Sequence, residues 1–154
     1  MKKRYIAIAI AVVVVAVLPW YRLLLYGKET PTERIERICG IELPEEMDIE
    51  YDYYTLGGLG EVTAYSVFHL KKEPTEFLNE YSFGDADNYD FENEFTTALD
   101  RIRRIKGKTT VKVIPSEYYP DWESGYSCKG SSYYGHCALY FPNTLRLVVL
   151  LRTY

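Results

Sequence analysis

The chain has 154 residues, with 22 Asp and Glu against 18 Lys and Arg, and 47% of it is apolar. That length holds one hydrophobic segment plus one domain with its own core. From Thr30 onward thirteen Lys and Arg face twenty-one Asp and Glu, which speaks against nucleic acid, a ligand that needs a basic footprint, and against a domain lying flat on anionic lipid.

The start of the chain is basic and then apolar. Lys2, Lys3 and Arg4 precede Tyr5–Leu25, in which Arg22 is the one charged residue. A membrane-crossing helix needs about 20 mainly apolar residues, and this stretch reaches that length. Arg22 sits near one end, where its stem can snorkel, and Trp20 and Tyr21 suit the same interface. The expected arrangement is an uncleaved, single-pass signal anchor. Its N-terminus is cytoplasmic because the cations before the span outnumber those just after it. The rival is a cleaved secretory signal, but small residues are poorly placed for a cut. Residues 1–27 are thus the expected basic start and transmembrane helix, and residues 28–154 an extracytoplasmic domain held close to the membrane.

The sequence predicts a short helix from Thr30. Thr30 caps it, Pro31 fits the first turn, Glu33 completes a capping box and Gly40 ends it. Ile49 to Leu56 and Val62 to Leu70 alternate apolar and polar residues, the mark of an antiparallel hairpin across Gly57–Gly60. In the first strand Ile49, Tyr51 and Tyr53 fall on one face. A second short helix opens at Glu73-Pro74-Thr75-Glu76. Asp90 to Lys106 carries an apolar stripe at helical spacing, acids in its first turn and Arg101, Arg103, Arg104 and Lys106 in its last. A strand is expected at Thr109 to Ile114, an aromatic loop from Pro115 to Ser127, and a hairpin of Cys137 to Phe141 with Leu145 to Arg152. The fold class is α+β: a small two-layer domain, an antiparallel sheet with about three helices on one face.

Three groups of residues are candidates for chemistry. Tyr118, Tyr119, Trp122, Tyr126, Tyr133 and Tyr134 crowd one region of a chain with sixteen tyrosines. Rigid aromatic rings carry binding energy for proteins and glycans, and they serve equally well to pack a loop onto a sheet. Cys128 and Cys137 bracket CKGSSYYGHC; outside the cytoplasm a disulfide between them closes a loop of about ten residues. Asp85, Asp87 and Asp90 miss the EF-hand spacing, and Cys128, His136 and Cys137 miss familiar zinc spacing, so no metal or cofactor is expected. No Gly-x-Ser-x-Gly, His-Glu-x-x-His or P-loop pattern occurs. The expected function is a non-catalytic binding or accessory module for an envelope protein or glycan. The alternatives are an envelope enzyme acting on a glycan or peptide through carboxylates, and an inhibitor or immunity-type protein whose acidic surface blocks a basic partner.

Overall fold

The computed structural model describes residues 29–56, 62–85, 92–93, 95–97, 99–100, 114–131 and 136–152. The expected anchor Tyr5–Leu25, residues 109–113 of the strand expected at Thr109 to Ile114, Asp87, Asp90, Tyr133 and Tyr134 lie outside them. Among the described residues no helix is long and apolar enough to cross a membrane.

Helix α1 (Pro31–Cys39) forms as its sequence dictates. The Thr30 side chain accepts the Glu33 N–H, the Glu33 carboxylate accepts the Thr30 N–H at 2.8 Å, and Gly40 takes φ +65° at the C-terminal end. Those hydrogen bonds to Thr30 hold the Glu33 carboxyl below the usual range. Strands β1 (Met47–Leu56) and β2 (Val62–Leu70) make the expected hairpin, and helix α2 (Thr75–Glu80) follows. Residues 92–93, 95–97 and 99–100, within the expected long helix, are helical.

The sheet continues with β3 (Gly84–Asp85), β4 (Ser127–Ser131), β5 (His136–Phe141) and β6 (Arg146–Arg152). It is antiparallel, in the order β1-β2-β6-β5-β4-β3. The β5–β6 hairpin matches the sequence, with its turn at 142–145. Strand β4 begins at Ser127, the last residue of the expected loop, and runs to Ser131 through a stretch for which no element was expected. Ser-Cys-Lys-Gly-Ser has little strand propensity of its own, and the ladder with β5 imposes the conformation. Gly130 pays for that position with φ +91°; a Cβ there would sit 2.7 Å from the His136 carbonyl oxygen.

Both faces of the sheet are covered, which corrects the expected two-layer arrangement. One face carries Tyr53, Tyr65, Val67, Cys137, Leu139, Phe141, Val148 and Leu150, covered by Phe95, Leu99, Ile114 and the 115–126 loop. The other carries Val62, Ala64, Phe68, Leu70, Ala138, Tyr140, Leu147, Val149 and Leu151, covered by α1 and α2 through Ile35 and Phe77. The cause lies in the alternation. In β5 and β6, and in β2 apart from Thr63, Ser66 and His69, both sets of side chains are mainly apolar, so neither face can be left to water.

A bulge at Glu50 changes which face β1 presents. Ile49 pairs with Phe68 and Tyr51 with Val67, leaving Glu50 as the extra residue. Met47 and Ile49 therefore share a face with Phe68, while Tyr51 and Tyr53 turn to the other. A simple two-residue period cannot show such a shift.

Candidate functional site

The hairpin builds a site from two segments far apart in sequence. Pairing of Met47 with Leu70 sets the α1–β1 connection beside the β2–α2 connection. The Lys71 N–H donates to the Glu46 carbonyl at 3.0 Å. The Leu43 N–H donates to the Glu36 carboxylate and the Glu42 N–H to the Tyr81 hydroxyl, each at 2.9 Å, tying the connection to both helices. Between the two segments runs a groove of about 490 Å³, lined by Glu42, Glu45, Glu46, Glu73, Glu76 and Glu80. Leu43, Pro74 and Phe77, all buried, form its apolar lining. Lys72 is its one cation and lies 3.1 Å from Glu46. A second hollow of about 280 Å³ shares Glu42, Leu43, Pro44 and Glu45 and runs on to Met47 and Ile49.

Under α1 lies a buried charge. Arg34 is 2% exposed. It donates to Asp52 at 2.7 Å, and its guanidinium carbon stands 4.2 Å from the centroid of the Tyr54 ring. Ser66 donates to the same Asp52 oxygen at 2.7 Å. The network fixes α1 against the sheet: Asp52 and Ser66 are register partners on β1 and β2. Breaking such a buried pair by removing one partner costs about 3–5 kcal/mol, so this group is structural.

The aromatic residues have a different setting. Tyr118, Tyr119, Trp122 and Tyr126 are half-buried and pack on the core they cover. Tyr118 stacks on Tyr51 with centroids 4.8 Å apart. Trp122 meets Phe95 edge-on at 5.6 Å and Tyr126 at 5.3 Å, and Tyr126 lies 5.6 Å from Phe141. The Tyr65 hydroxyl donates to the Tyr118 carbonyl oxygen. Burial, then the charge of Glu92, raises the Tyr126 pKa. These rings close one face of the sheet, and their outer edges remain accessible for contact.

Cys128 and Cys137 are thiols in the structure. Cys128 stands opposite Leu139 and Cys137 opposite Gly130, so the two are diagonal neighbours on one face. Diagonal Cα atoms in a sheet are about 7–8 Å apart, at or beyond the limit for a bridge without backbone movement. Burial raises the Cys128 thiol pKa. His69 and His136 lie on different parts of the sheet. His69 Nδ1 is 4.0 Å from Glu50, and Glu50 is held 2.7 Å from Arg146 Nε. Among the described residues no three metal-ligating side chains converge.

Sequence reasoning missed the groove. Its glutamates look like ordinary solvated residues until the hairpin register brings 42–46 beside 72–80. The one available signal was the pair of segments rich in Pro and Glu, Leu43-Pro44-Glu45-Glu46 and Glu73-Pro74-Thr75-Glu76, close to the ends of the two strands. Comparison with protein-family profiles, curated proteins and solved structures gave no match to this chain.

Proposed function

We propose that the chain is a non-catalytic binding module for an envelope partner. In this reading Tyr5–Leu25 holds it in the membrane and residues 28–154 stand on the outer side. The observation that supports it best is the acidic groove, an open concavity with an apolar floor set between two segments tied to rigid elements. Glu42, Glu45, Glu73, Glu76 and Glu80 are exposed there, and none has a cationic partner among the described residues. Charges gathered in a cleft focus potential and draw in an oppositely charged ligand. The inhibitor or immunity-type reading draws on the same groove, since an acidic cleft can occupy a basic surface of its target.

The test is in intact cells. A photo-crosslinking residue at Glu45 or Glu76 should trap one defined partner, and one at Asp121, within the aromatic loop, should trap it poorly. If no position yields a reproducible adduct, the module reading falls. A reporter fused after Tyr154 should be found outside the membrane; a cytosolic reporter would refute the proposed topology.

A further inference from the structure

We infer that the groove takes a lysine- or arginine-rich segment of a partner protein, seated by an apolar side chain on Leu43 and Phe77. The inference rests on the module reading and supplies the partner's chemistry. The groove is more than an acidic cluster. Its charged rim surrounds an apolar floor, and the adjoining hollow extends that pattern to Ile49, a large apolar side chain 48% exposed. An alternation of acid and apolar surface along a track matches an extended segment that alternates cation and apolar residue.

The spread of the carboxylates matters too. They do not converge as metal ligands do, and a distributed polycation neutralises them better than one ion.

The experiment uses the full chain in detergent and a fluorescent peptide of alternating lysine and leucine as probe. The unaltered protein should bind it, more weakly as salt rises, and should ignore a glutamate–leucine counterpart. The triple variant Glu73→Gln, Glu76→Gln, Glu80→Gln should weaken binding at least about tenfold. The control Glu117→Gln, Asp121→Asn, Glu123→Gln, within the aromatic loop, should change it less than about twofold. A peptide with alanine for leucine should bind about fivefold more weakly. Thermal melts of each variant, with Glu76→Gln alone as the milder case, verify the fold. Equal losses in the two triple variants, or no loss in the first, would overturn the inference. In cells, a groove variant that still traps the same partner refutes the cationic-segment inference and leaves the module reading standing.

Discussion

On one face of the sheet Phe95, Trp122, Tyr126 and Phe141 meet ring against ring. On the other, Arg34 reaches Asp52, which also accepts from Ser66, beside a layer of mixed aliphatic and aromatic side chains. Among the described residues, the first cover joins helical residues around Phe95 and Leu99 to the irregular 115–126 loop, held by large rings and one tyrosine hydroxyl. The second consists of two short helices, one of them capped at both ends and pinned by a buried ion pair. Aromatic area tolerates an irregular path because each ring buries much surface with few torsions. A nine-residue helix lacks stability alone and depends on its caps and its docking. The difference teaches that the helical side fixes positions, and its margin is where the acidic groove is built.

The comparison breaks most sharply at Asp52. Asp52→Ala leaves Arg34 charged and buried, and should lower unfolding free energy by about 3–5 kcal/mol; adding Arg34→Met should recover most of it. Denaturant titration of both variants checks this, and a double variant no better than the single would show that the pin is not electrostatic. On the aromatic face, Trp122→Ala should cost about 2 kcal/mol, below a full core truncation because the ring is half-buried. The same titration measures it, and a neutral result would make the loop a contact surface rather than a cover. Tyr65→Phe keeps the ring and removes the bond to Tyr118, for a loss of about 1 kcal/mol.

Alkaline pH sharpens the contrast further. Burial pushes the Cys39 thiol, on the helical side, up to about 12. An unfolded chain releases that proton at about 8.5. The stability linked to this thiol is therefore complete below pH about 8.5 and is lost as pH rises towards 12. Denaturation midpoints across that window should fall less steeply in Cys39→Ala than in the parent chain. The smallest effect concerns the proposed bridge on the aromatic side. Non-reducing peptide mapping of the chain from its membrane should recover a Cys128–Cys137 linkage if β4 shifts to admit it, and two alkylatable thiols if the diagonal register persists.

Much of this architecture could be read from residue order. Thr30-Pro31-Thr32-Glu33 and Gly40 state where α1 begins and ends, and the alternation in Val62–Leu70 states a strand. Val148 and Leu150 alternate with Leu147, Val149 and Leu151, a run apolar on both sides as a doubly covered strand requires. The rest depended on partners. Ser127–Ser131 becomes β4 because β5 offers a ladder, and the Glu50 bulge turns Tyr51 and Tyr53 away from the face of Ile49 without altering the pattern of residue types. Arg34 reads as a solvated helix cation until Asp52 and Ser66 arrive from two strands. The aromatic candidates were visible as composition, but which part of each ring is covered emerges only from packing. The groove was least legible of all, since proximity between residues 42–46 and 72–80 is a property of register.

Gly130 has one more effect. Its backbone conformation and the His136 oxygen pressed against it leave no room for even a methyl group. Any replacement must lever β4 away from β5, and β3, whose two residues pair with β4, would lose its seat with it. One added carbon at that margin thus strains the β4–β5 ladder, far from the pairing of β1, β2 and β6. A replacement at Gly130 should therefore register as faster amide exchange concentrated in β3, β4 and β5.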